Sequence, residues 1–127
     1  MFSVSDEEFQ TMVDTGIASL PSDHRKAIKN VAFFVRDTPS EDQASRAGLQ
    51  PGQLLLGLYD GVPLSRRQGQ TGFMPDRITI FKHSIELICA SHEAVAEQVR
   101  HTIWHEVAHY FGLNHDDIHN LEPEDLV

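Results

Sequence analysis

Hydrophobic positions along this chain change their spacing twice. Near the N-terminus Phe9, Met12, Val13 and Ile17 recur every three or four residues, the spacing of one buried helix face. Ser5 precedes this stripe and Glu8 follows it three residues later, so a capping box is expected to open the helix. Leu20-Pro21 ends it, because a proline ring disfavours helical backbone in the residue before it. The polar run from Ser22 to Lys29 is expected to make a turn or one further helical turn.

Extended structure comes next. Ala32-Phe-Phe-Val35, preceded by Val31, reads as a first strand. The stretch from Thr38 to Gln53 is rich in Pro, Ser, Asp, Gln and Gly, which predicts a loop with a short helix around Ala44. The apolar run Leu54-Leu-Leu-Gly-Leu-Tyr59 predicts a second strand leaving through a tight turn at Asp60-Gly61. Gly57 inside it marks a bulge or a close backbone approach. After a polar stretch from Ser65 to Asp76, Arg77-Ile-Thr-Ile-Phe-Lys82 alternates as a half-buried strand does, with Ile78, Ile80 and Lys82 on one face.

From Ser91 the helical period returns. Ala96, Val99, Ile103, Val107 and Tyr110 fall three or four residues apart, and Gly112 is placed to end the helix. One helix, then strands with loops, then a long C-terminal helix is an α+β pattern. Nothing in the sequence repeats or reads as a linker, and 127 residues suit one domain with one modest core.

Charge and composition narrow the function. A formal net charge of −9 argues against nucleic acid and anionic membrane as partners, because both require clustered Lys and Arg. The N-terminal residues lack the basic and apolar regions of a targeting signal, and no apolar run approaches membrane-spanning length, so a cytoplasmic location is expected. The one cysteine, Cys89, excludes an internal disulfide and a Cys-based zinc knuckle. It sits among Leu87, Ile88 and Ala90 as a small buried residue would. Any metal site must therefore use His and carboxylates. Five of the eight histidines (His92, His101, His105, His109 and His115) fall within 24 residues, with His119 just beyond.

On a helix, His105 and His109 project from one face a turn apart and can converge on one tetrahedral ion. Glu106 lies about 100° round the helix from His105 and about 60° from His109, which lets it reach a metal-bound water without ligating the metal. Zinc polarises a scissile carbonyl and lowers the pKa of its water to roughly 7. Glu106 is then the general base that takes the water's proton and delivers it to the leaving amine. Gly112, in a left-handed conformation, would turn the chain so that His115 supplies a third ligand, with Asp116, Asp117 and His119 as alternatives. His101 shares the face of His105 and offers a rival pair. That pair has no glutamate at the next position, so His101 is expected to play a supporting or solvent-exposed role.

The run His105-Glu-x-x-His109-x-x-Gly112-x-x-His115 matches the first part of the extended zinc motif of metzincins. No methionine follows His115, so a methionine turn beneath the metal is not expected. The chain resembles, from about Phe9 to Ile118, the small bacterial zincin-like metallopeptidase family. The likeness rests on Leu20-Pro21 with Asn30-Val31, on Leu55-Leu-Gly-Leu-Tyr-Asp-Gly-Val-Pro-Leu64 with Arg67, on Pro75-Asp-Arg-Ile-Thr-Ile-Phe81, and on Thr102-Ile-Trp-His-Glu-Val-Ala-His-Tyr-Phe-Gly112. In proteins similar to this one the position of His115 is frequently acidic. The resemblance implies a minimal zincin fold: a small mixed sheet packed on an N-terminal helix and a long C-terminal metal-binding helix. It also implies a peptide or protein substrate lying along a sheet edge as an added strand.

Tyr59, Arg66 and Arg67 are candidates for stabilising the oxyanion, and Trp104 is expected to pack the helix. Ala47-Gly-Leu-Gln-Pro-Gly-Gln-Leu-Leu55 resembles a short piece of a PDZ domain, a match confined to one turn and strand. The alternative to a zinc peptidase is a zinc-stabilised binding module without turnover. A purely structural site would close all four metal positions and have no need of Glu106.

Overall fold

The computed structural model describes residues 2–28, 30–61 and 76–112. Its elements in chain order are α1 (Asp6–Ala18), α2 (Ser22–Ala27), β1 (Val31–Arg36), α3 (Glu41–Arg46), β2 (Gly57–Asp60), β3 (Asp76–Phe81), α4 (Lys82–Leu87) and α5 (His92–Tyr110). This is the α+β architecture expected from the sequence: among the described residues, a small mixed sheet and five helices, the last of them long.

The capping box of α1 forms as its residues dictate. The Glu8 backbone N–H donates to the Ser5 hydroxyl, and the Ser5 N–H donates to the Glu8 carboxylate, both at 3.0 Å. Phe9, Met12 and Val13 are buried beneath it and Ile17 packs beside them. The polar run after Pro21 is helical, and so is the segment around Ala44, whose helix α3 opens with a second capping box from Ser40 and Gln43. Arg46 at its end pairs with Asp42 and with Asp60, tying α3 to the end of β2.

The sheet order is β1-β3-β2, with β1 parallel and β2 antiparallel to β3. In register, Phe33 lies opposite Ile78, which in turn lies opposite Tyr59. The middle position of β3 overrides the half-buried expectation. Thr79 and Phe81 are buried along with Ile78 and Ile80, leaving Arg77 as its exposed residue. The strand also stops one residue early. Lys82 opens α4, where its ammonium lies 3.2 Å from Glu86 and 3.4 Å from Asp6. Likewise the second strand begins only at Gly57, and Leu54 is left exposed.

Glu86 is buried and accepts the Val4 backbone N–H at 2.8 Å, which fastens the N-terminal segment to α4. Burial pulls the Lys82 ammonium down, and hydrogen bonds and charge from Glu86 and Asp6 more than offset this, so its pKa is raised.

Helix α5 packs on α1, β2 and β3. Val99, Ile103, Val107 and Tyr110 of the expected stripe are buried, with Ala96 at the margin. The crossing with α1 is close at Gly16, where a Cβ would stand 2.8 Å from Ile103 Cδ1 and 3.5 Å from Arg100 Cα.

Candidate metal centre on the C-terminal helix

Ser91 caps α5 by accepting the Ala94 N–H at 3.1 Å, and the helix then runs unbroken for 19 residues. An unbroken run is what turns the four-residue spacing of His105 and His109 into neighbouring rings. Their centroids lie 5.1 Å apart with planes at 66°. One donor atom each from His105, Glu106 and His109 lie within 4.8 Å of one another. Two imidazole nitrogens and a carboxylate oxygen are a donor set that suits zinc.

The helix ends as Gly112 predicts. Its φ of +90° is the left-handed conformation that glycine adopts without penalty, and its N–H donates to the His109 carbonyl at 2.9 Å. The chain therefore turns sharply three residues after the second imidazole. The expected third ligand, His115, and its alternatives Asp116, Asp117 and His119 lie outside the described residues, as do Arg66, Arg67 and Met74.

Glu106 is 7% exposed. Burial pushes its carboxyl up to about 7, and a hydrogen bond donated by the Tyr59 backbone N–H opposes that rise. A carboxyl held near neutrality can both accept and return a proton. The half-buried imidazoles and the buried carboxylate thus share one helix end but face different surroundings.

The close approach foreseen at Gly57 is what brings β2 to Glu106. A Cβ at Gly57 would stand 2.6 Å from Thr102 Cγ2, 3.2 Å from Glu106 Cγ and 3.3 Å from the Thr79 carbonyl oxygen. In the ladder, Phe81 N–H donates to the Leu56 carbonyl at 2.9 Å. Alternation along an antiparallel pair then turns the Tyr59 N–H away from β3, toward α5.

Tyr59 is held at its other end too. Its hydroxyl donates to Asp76 Oδ2 at 2.9 Å, and its ring meets the Tyr110 ring edge-on at 5.9 Å. Tyr110 in turn donates its hydroxyl to the Ala27 carbonyl at 3.0 Å. Asp76 is buried, and a Cβ at Gly61 would collide with its carboxylate. The structure thus directs the Tyr59 hydroxyl to Asp76, and the part of Tyr59 that touches Glu106 is its main chain. The alternating strand pattern carries no sign of this, because both contacts join residues far apart in sequence. Gly57 is the one local signal.

His101 lies one turn before His105 on the same face, with ring centroids 6.4 Å apart. Trp104 packs against the core as expected, and Cys89 is partly buried with its thiol pushed up by burial, the opposite of an activated nucleophile. A groove of about 650 Å³ between α1 and α5, floored by Met12, Gly16 and Ala96, holds none of the three donors.

No functionally curated protein matches the chain. A conserved hypothetical protein from Thermus thermophilus has a similar structure, with a TM-score of 0.58 at 20% identity over 85% of this chain and 94% of that one. That likeness is one of fold. The family profile of the zincin-like metallopeptidases matches residues 28–125, a span that includes the sheet, the glycine approach and the three clustered donors. The chain belongs to the zincin-like metallopeptidase family.

Proposed function

We propose that the protein is a zinc-dependent metallopeptidase that hydrolyses peptide bonds, with His105, His109 and His115 as ligands and Glu106 as the general base. The observation that carries this is the pairing of two half-buried imidazoles with a buried carboxylate, their donor atoms within 4.8 Å. When bound, zinc supplies Lewis acidity toward a carbonyl oxygen and acidifies a water. Glu106 accepts the proton of the attacking water and returns it to the amide nitrogen as the C–N bond breaks. The Tyr59 N–H steadies the carboxylate while it is charged, and burial favours its return to the protonated form.

Strand β2 supports an extended substrate. Among the described strands it is an outer one and runs beside Glu106, so a peptide laid beside it, without taking the Tyr59 N–H that serves Glu106, would lie near the base. No helix among the described residues is long and apolar enough to cross a membrane, and a cytoplasmic location remains the reading that suits this chain.

The test pairs metal content with cleavage. The purified protein is expected to carry about one zinc per chain and to cut members of an unbiased peptide library. Glu106→Ala should keep the metal and lose the cleavage, and His105→Ala should lose both. Zinc binding without cleavage by the wild type would favour the non-catalytic binding module. Equal cleavage by Glu106→Ala would remove Glu106 from the mechanism.

A further inference from the structure

Helix α5 carries a further imidazole on the face of the group at its C-terminal end. His101, His105 and His109 are spaced four residues apart along one face, and all three are half-buried. The His105 and His109 rings lie 5.1 Å apart, and the His101 and His105 rings 6.4 Å apart with planes tilted 41°. Two imidazoles four residues apart on one helix face can converge on one divalent ion, with metal–nitrogen distances of about 2.0–2.1 Å for zinc. The helix therefore presents two overlapping pairs of imidazoles at the same sequence spacing.

They differ in the residue next to each first histidine. After His105 comes the Glu106 carboxylate. After His101 comes Thr102, which is buried and whose Oγ1 accepts the Gln98 amide at 3.2 Å. The upper chelate has a hydroxyl already engaged by Gln98 where the lower one has a base.

We propose that His101 and His105 form a second divalent-metal chelate, exclusive with the His105–His109 pair because a neutral imidazole offers a lone pair on only one of its nitrogens. An ion in the upper chelate occupies His105 without the Glu106 relation, so it is bound in a non-productive position. The two positions hold one ion between them, so their relative occupancy is set by the ratio of their affinities and not by the amount of metal. This rests on the zinc-binding part of the proposed function and not on its hydrolytic part.

The test titrates zinc alone, against a chromophoric chelator, into the full chain and its variants, with circular dichroism checking each fold. His101→Ala should keep one zinc. His109→Ala should keep one zinc more weakly held, and His101→Ala/His109→Ala should bind at least about tenfold more weakly again. Equal affinity of His109→Ala and the double variant, or no zinc in a folded His109→Ala, overturns the second chelate while leaving the first intact. Loss of zinc from His101→Ala alone overturns the exclusive arrangement. Should His109→Ala not fold, His109→Leu, which keeps more of the side chain's packing, takes its place in the same titration beside His101→Ala/His109→Leu. Equal affinity of those two, or no zinc in a folded His109→Leu, overturns the proposal.

Discussion

Gly57 of β2 lies so close to Thr102 of α5 that a Cβ on it would stand 2.6 Å from the Thr102 Cγ2. No real Cβ contact is that short, and the obstructing methyl belongs to a buried, β-branched side chain with few rotamers to choose from. Gly57→Ala should push β2 off α5, at a cost of about 1–3 kcal/mol in urea unfolding. It should also weaken the hold on Glu106. An alanine variant with unchanged stability would show that the strand and helix can separate freely.

The buried Glu106 carboxyl gives the metal-stripped protein a pH dependence of definite sign. Its folded pKa of about 7 lies above its unfolded value of 4.5, so the native chain keeps a proton that the unfolded chain loses. The stability it contributes is complete below pH 4.5 and is lost as pH rises through about 7. The loss is roughly 3 kcal/mol at most. Denaturant unfolding in chelator should show this decline in the wild type and not in Glu106→Gln.

Glu86 is 4% exposed and holds two donors, the Val4 N–H and the Lys82 ammonium. Glu86→Ala leaves both without their buried acceptor and should cost about 3 kcal/mol. Amide exchange at Val4 should accelerate with it. The raised pKa of Lys82 sets a second sign: its contribution is present below the unfolded value of 10.5 and is lost as pH rises through the higher folded value.

The capping box of α1 titrates the other way. Hydrogen bonds from the backbone and then the side chain of Ser5 hold the Glu8 carboxyl below its usual range. Its contribution is present above pH 4.5 and fades as pH falls through the lower folded value. Ser5→Ala should cost about 1 kcal/mol by thermal unfolding, and should lessen that acid-side slope without removing it, because alanine keeps the backbone N–H that is the larger contribution.

Legibility in the sequence tracks contact distance along the chain. The capping box at Ser5, the stripe from Val99 to Tyr110 and the glycine turn at Gly112 involve residues within a turn or so of one another, and each stands as its spacing predicts. The same locality makes His105, Glu106 and His109 readable as a group. Lys82 reads as strand because the alternation continues through it. Its ion pair with Asp6, 76 residues away, belongs to tertiary structure, and its pair with Glu86 forms only once α4 does. The face of Thr79 and Phe81 is likewise invisible, since burial on both sides of β3 depends on which strands flank it. Gly57 sits between these cases: its type announces a close approach, while the partner across it belongs to tertiary structure.

The hydrogen bond to Glu106 comes from the main chain of Tyr59. A peptide N–H is present whatever side chain is attached, so drift at position 59 does not erase the donor. Proline alone deletes it. Relatives could therefore share this contact while showing unrelated residues at that position, and a comparison of side chains would pass over it. Glu106 is anchored by a feature of the strand's path, and that anchor depends on the nearness allowed by the missing side chain at Gly57.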